Sequence, residues 1–225
     1  SYLKGMSVGL GVLETKFKDT STTYTGLLPT LKADIEKDTD ILTWGGELKL
    51  SLMGTGDYES ASTDDGAEIS NFDLSGFIGK KYGRDADTFL MPYAGLGLYG
   101  QTMKPESLYT NYLRSTYAEF GAKAEKRIGD HKVYGSARYM MNLSSTLEAN
   151  YSERYNLPDL EVEYDGGNGT ELSFGVRSAS ASTYLELSYQ MWDTPESESK
   201  AWNGSNVTVS GYETSIVTVS GGFRF

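Results

Sequence analysis

The sequence predicts an all-β fold, a membrane-spanning antiparallel barrel of ten strands, with eight strands as the alternative. Three observations carry this. A period-two alternation of apolar and polar residues recurs ten times, the connections alternate between short and long, and the composition is rich in Gly and Tyr. The 225 residues include 26 Gly and 17 Tyr but only 5 Pro, where a helical protein would be dominated by Ala, Leu, Glu and Lys. Mean hydropathy is −0.42. No run approaches the roughly 18 apolar residues of a membrane helix, as expected where only every second residue meets lipid.

The strands follow in order. In the first, Met6, Val8, Leu10 and Val12 alternate with Ser7, Gly9 and Gly11. The second, near Tyr24 to Glu36, is the weakest, because Pro29 lies inside it and has no N–H for a ladder bond. The third, Leu42 to Leu52, is the clearest: Leu42, Trp44, Leu48, Leu50 and Leu52 share one face, and Thr43, Glu47, Lys49 and Ser51 the other. The pattern repeats over 72–79, 90–99, 118–125, 133–143, 171–177, 184–191 and 217–225. Short connections are expected at 37–40, 83–88, 129–132 and 178–182, and long ones at 55–70, 102–115, 144–167 and 194–210. Short turns on the periplasmic side and long outer loops mark bacterial outer-membrane barrels. An even strand count puts both termini at the periplasmic end. The chain opens at Ser1 with no export signal, and is read as a mature exported form.

One face of these strands is Leu, Val, Ala, Phe and Met; the other mixes Gly, Ser and Tyr with charges. In a membrane barrel the apolar face turns to lipid and the polar face to the lumen. Bare glycines suit a crowded interior. Aromatics gather near segment ends, among them Tyr2, Phe17, Trp44, Phe72, Tyr82 and Phe89, as an interfacial girdle would. A soluble lipocalin-like or sandwich fold is the competing architecture. The single domain spans 1–225.

The facing assignment sends Glu47, Lys49, Asp73, Glu119, Lys123, Glu125, Arg138, Glu171, Arg177, Glu186 and Arg224 into the lumen. Ten strands enclose a narrow space, and unpaired buried charge is costly, so these groups are expected to pair across it. The two outcomes are a plug crossed by salt bridges and a thin cation-preferring pore. Lys32, Asp34 and Glu36 are expected at a more hydrated periplasmic end. The outer loops are acidic, with Asp57, Glu59, Asp64, Asp65 and Glu68 in one, and Glu161, Glu163 and Asp165 in another. They also carry Tyr109, Tyr112, Tyr151, Tyr155, Tyr164 and Trp202. Such a surface either keeps the loops solvated or presents an electronegative face to a basic protein or host-surface partner. Lys80, Lys81, Arg84, Lys126, Arg127 and Lys132 lie near the short turns, in reach of anionic headgroups.

Net charge is −11, which argues against a nucleic-acid partner. There is no cysteine and one histidine, His131, so no thiolate chemistry is available. No cofactor or metal motif appears; the Gly9-x-Gly11 and Gly95-x-Gly97 pairs sit inside strands and are not phosphate loops.

The chain ends Gly-Gly-Phe-Arg-Phe, with Phe223 and Phe225 on the apolar face. This resembles the terminal strand of outer-membrane proteins. The resemblance implies recognition by the barrel-assembly machinery and residence among outer-membrane lipids and lipopolysaccharide. Met91-Pro-Tyr-Ala-Gly-Leu-Gly-Leu-Tyr99 resembles the Pro-Tyr-x-Gly-x-Gly strand of small OmpA/OmpX/OmpW-like porin-family barrels, which are often eight-stranded. Ten strands are similar in general shape to omptin proteases, whose family works with a His–Asp and an Asp–Asp pair at the outer rim; lipid-A-modifying barrels also use a histidine. His131 falls in a periplasmic turn, so the chain is expected not to be an enzyme. The function expected is that of a structural anchor or adhesin-like interaction protein, with a narrow cation-preferring porin as the alternative and an omptin-like or lipid-A-modifying enzyme as a remote one.

Overall fold

The structure, a computed structural model, describes residues 2–85, 88–178 and 182–225. Its strands are β1 (Tyr2–Phe17), β2 (Thr23–Asp38), β3 (Thr43–Glu59), β4 (Asp64–Gly79), β5 (Tyr82–Asp85), β6 (Thr88–Pro105), β7 (Asn111–Ile128), β8 (His131–Ala149), β9 (Leu160–Tyr164), β10 (Asn168–Ser178), β11 (Thr183–Thr194), β12 (Lys200–Trp202), β13 (Ser205–Val207) and β14 (Tyr212–Arg224). Ten of them form the wall, each antiparallel to its neighbours, in the order β14-β1-β2-β3-β4-β6-β7-β8-β10-β11, and β11 pairs back onto β14 to close the ring. The short β5 adds to the foot of β6, β9 extends the wall beside the top of β8, and β12–β13 is a separate hairpin. The centres of the turns expected at 83–88 and 178–182 lie outside the described residues, as do the side chains of Tyr2 and Arg84.

The short turns are built from local chemistry. Thr39 Oγ1 donates to the Leu42 carbonyl at 2.6 Å and accepts from the Leu42 amide at 3.1 Å. Gly129 takes the left-handed conformation (φ 60°) that the two-residue β7–β8 turn needs.

Most strands are longer than a bilayer requires. β1 has 16 residues and β8 has 19, about 50–60 Å at roughly 3.3 Å per residue, whereas a tilted crossing takes about 9–11 residues. Each therefore continues well past the membrane, and midway its two faces exchange character. On β1 the outward residues run Met6, Val8, Leu10, Val12 and then Glu14, Lys16, while the inward ones run Ser7, Gly9, Gly11 and then Leu13, Thr15, Phe17. On β7, read from the top, outward Arg114 and Thr116 give way to Ala118 and Phe120, as inward Leu113 gives way to Glu119 and Lys123. The lower half is apolar outside and polar inside. The upper half has a water-facing polar exterior around an apolar core. Lipid-facing Val8 (68% exposed), Leu96 (62%) and Leu185 (62%) form part of a continuous apolar belt that a soluble barrel would not present.

This exchange corrects the loop assignment. The segments expected as outer loops at 55–70 and 102–115 are mostly strand, turning only at 60–63 and 106–110. Asp57 and Glu59 belong to β3, Asp64, Asp65 and Glu68 to β4, and Glu161 and Glu163 to β9; only Asp165 lies in a link. Tyr164, also expected in a loop, points into the core and is 3% exposed. The outer connections that remain long are 150–159 and 195–211.

Pro29 sits where the β2–β3 ladder is already broken. The register jumps between Leu27/Thr55 and Thr30/Ser51, and β3 bulges at Leu52–Met53, with Met53 at φ 57° and both side chains turned outward. The missing N–H falls in a gap and costs no ladder bond.

Candidate functional site

The lumen is layered from the periplasmic end upward. Lowest is an open cavity of about 280 Å³, walled by Phe77, Phe89, Tyr134 and Tyr184 among the charges. Around its mouth Lys81 Nζ meets Glu36 at 2.7 Å, with Arg224 at 3.6 Å and Lys123 at 3.8 Å from the same carboxylate. Arg224 also approaches Asp34 at 3.8 Å, and Lys123 lies 3.8 Å above the Phe77 ring. On the facing wall Glu125 takes Arg177 at 2.5 Å and Lys132 at 3.6 Å.

Above the cavity a belt of charges crosses the barrel. Arg138 (8% exposed) reaches Asp73 at 2.6 Å, Glu171 at 2.8 Å and Glu119 at 2.9 Å. Lys49 joins Glu171 (2.6 Å) to Glu47 (3.1 Å), and Lys32 joins Glu47 (3.1 Å) to Glu186 (2.7 Å). Tyr117 OH and Gln190 Nε2 donate to Asp73. These residues come from β2, β3, β4, β7, β8, β10 and β11, so the network ties together most of the ring. Every lumen charge expected from the sequence is found inside, and each takes part in one of these groups. The hydrated position expected for Lys32 and Glu36 is corrected. Lys32 belongs to the belt, and Glu36 is 5% exposed.

Sequence reasoning missed what lies above. Tyr99, Tyr117, Met140 and Trp192 stack over the belt, with Tyr117–Trp192 centroids at 5.3 Å. Gln101 Nε2 donates to Thr15 Oγ1 (2.8 Å), which pairs with Thr214 Oγ1 (2.8 Å). A core of Leu13, Leu28, Ile69, Met103, Leu113 and Val162 then fills the upper barrel, closed by Phe17, Tyr24, Tyr58, Tyr164 and Tyr212. The signal was present in part: Leu13 and Leu113 keep the parity of the polar inward residues below them, whereas on β8 an irregularity at Leu143–Ser144 shifts the parity, so that Leu147 points inward where Arg138 and Asn142 set an even count. The gap beside the belt, about 30 Å³ near Lys49, Asp73 and Glu171, has room for a water or two.

The outer rim carries the charge. Residues 13–26, 53–70, 101–116, 144–168 and 192–215, those above the polarity exchange, hold 18 acidic and 6 basic side chains, a net −12. The other 13 acids and 14 bases give +1, which together make the −11 of the chain. Some of these acids hold the rim together. Asp65 accepts from the Ser107 amide (2.6 Å), Glu153 from Thr110 Oγ1 (2.7 Å) and Asp159 from the Ser152 amide (2.8 Å). These bonds keep Glu153 and Asp159 below the ordinary carboxylate range. Glu198 is raised by its hydrogen bond with Asp165, two acids sharing one place. Asp57, Glu59, Asp64, Glu68, Glu161 and Glu163 point to water. Tyr109, Tyr151 and Trp202 stack on one another (4.1 and 5.1 Å between centroids) and against the upper core, leaving Tyr155 as the more exposed ring.

His131 is exposed at the foot of β8, at the opposite end from this rim. Among the described residues no group of three or more His, Asp or Glu is placed to hold a metal ion. No helix among the described residues is long and apolar enough to cross a membrane.

Among solved structures, the chain is similar to the outer membrane protease OmpT from Escherichia coli, with a TM-score of 0.72 at 12% identity over 100% of this chain and 96% of that one. The chain has the fold of a bacterial outer-membrane β-barrel. The translocator domain of the autotransporter NalP from Neisseria meningitidis aligns over 100% of this chain and 89% of its own, at 14% identity and a TM-score of 0.46. No protein-family model and no curated protein sequence matches the chain. The likeness of Met91–Tyr99 to the OmpA/OmpX/OmpW-like strand therefore stays a local one. The outer-membrane barrel is a ten-stranded one, closed and embedded by its lower half.

Proposed function

We propose that this barrel is an anchored interaction protein: the lower half holds it in the outer membrane, and the upper half displays an acidic, tyrosine-bearing rim to a basic partner. The observation that supports the reading is the closed lumen. The charge belt and the apolar core above it block a path from the rim to the periplasmic cavity, so the −12 of the rim faces outward only. A rigid, negatively charged platform raises the local concentration of cationic groups and speeds their association. The reading involves no hydrolytic step, because the omptin arrangement needs a histidine at the rim and His131 is at the other end. Contacts with lipopolysaccharide and passage through the barrel-assembly machinery, with Phe223 and Phe225 as signal, are part of the same proposal.

The test is titration of the folded barrel in detergent with fluorescent decalysine as a basic probe. Binding is expected to weaken as salt rises from about 0.05 to about 0.15 M, and to fall when Asp57, Glu59, Asp64 and Glu68 are changed together to their amides. No binding, or binding indifferent to these changes, would remove the basic partner from the account.

A further inference from the structure

The lower exterior wall is not uniform. Across β1 to β4, cross-strand register places Met6, Ala33, Leu48 and Leu74 in one outward row, and Lys4, Ile35, Gly46 and Gly76 in the next row toward the periplasm. Ala33, Gly46 and Gly76 contribute little or no side chain, while Met6, Ile35, Leu48 and Leu74 stand up around them. Phe225, hydrogen-bonded through its backbone to Lys4, closes one side. The result is an apolar groove of about 390 Å³ facing the bilayer.

We propose that this groove binds one anionic phospholipid of the periplasmic leaflet, an acyl chain lying against Ala33 and Gly46 and the phosphate held by Lys4 and Lys37. The fold places the groove within the lipid-facing half, so a hydrocarbon chain is what meets it. The charge around it selects the headgroup. Lys4 is exposed at the groove's periplasmic rim, and Lys37 lies one row lower, 5.9 Å from the centroid of the outward Trp44 ring. The acids of these strands at the level of the groove face the other way. Asp34, Glu36 and Glu47 point into the lumen and meet Arg224, Lys81, Lys32 and Lys49 there. Lysine stems can lie along apolar wall while the ammonium reaches the headgroup level, and a tryptophan at the same level is a usual interfacial anchor. A zwitterionic headgroup would gain less from two lysines than an anionic one.

Native mass spectrometry of the whole protein, released from vesicles of equal parts phosphatidylglycerol and phosphatidylethanolamine, tests this. One phosphatidylglycerol adduct is expected to survive preferentially. Lys4→Gln and Lys37→Gln should each weaken that preference about fivefold, the value of one lysine near an anionic surface. Ala33→Leu, which fills the groove from an existing outward Cβ, should abolish the adduct while leaving the heat-modifiable gel migration of a folded barrel intact. Gly46→Leu is a second filling variant. Equal retention of the two lipids, or a phosphatidylglycerol preference that survives either filling variant in folded protein, would mean annular lipid only and overturn the site.

Discussion

Arg138 shows what single residues do in this lumen. Its guanidinium meets three carboxylates from three other strands, and replacing it leaves Asp73 and Glu119 buried without this cation and Glu171 with Lys49 alone. Arg138→Met is expected to cost about 3–5 kcal/mol, the usual penalty for breaking a buried ion pair from one side; guanidinium unfolding of the refolded barrel would measure it. Glycines serve the same packing. Gly97, Gly121 and Gly175 each stand directly across the ladder from a tyrosine, Tyr117, Tyr93 and Tyr134, and a Cβ would collide with each ring. The rings cover the glycine positions and take up the space they leave. Gly97→Ala should therefore destabilise by roughly 1–3 kcal/mol, read as a lower unfolding midpoint, whereas Gly76→Ala, whose Cβ would have one ordinary contact, should not. Parity made the facing of these residues legible in the sequence. Their partners were not legible, because the contact of Arg138 with Asp73 depends on how far side chains reach across the lumen between strands that are not neighbours.

At the level of elements, the lower strands could be read and the upper ones were taken for loops. A strand search expects one face to stay apolar from end to end. Here apolar and polar exchange faces near Val12/Leu13 and Thr116/Leu113, so a search for one apolar face loses the strand where the chain leaves the lipid. Pro29 misled less than expected, because the bulge opposite it absorbs the lost donor. That bulge holds Met53 in a left-handed conformation with its side chain 88% exposed. Met53→Gly is expected to raise stability by about 1 kcal/mol, seen as a higher guanidinium midpoint; an unchanged midpoint would mean that the left-handed conformation costs nothing at this bulge. The 150–159 loop depends on Glu153. Its folded pKa is lowered by the Thr110 bond, so the stabilisation is present above the ordinary carboxylate range and is lost as pH falls through the lowered value. Limited proteolysis within this loop should quicken as pH falls below the ordinary carboxylate range, and Glu153→Gln should reduce that pH dependence.

The whole molecule is two barrels in one wall, a membrane barrel with a polar interior below and a water-facing barrel with an apolar interior above. Each half satisfies a different solvent, and the change of solvent dictates the exchange of faces. Composition and alternation were enough to read the lower half, the strand number and the acidic rim. The upper core was not read, since it required knowing that the strands continue. The closed lumen follows from both halves together, and it carries the functional account. Single-channel recording of the refolded protein in a planar bilayer, with insertion verified independently and a salt gradient across the membrane, tests it most directly. The account predicts no conductance steps from an inserted barrel; stable steps with a cation preference would contradict it and make the acidic rim the funnel of a pore.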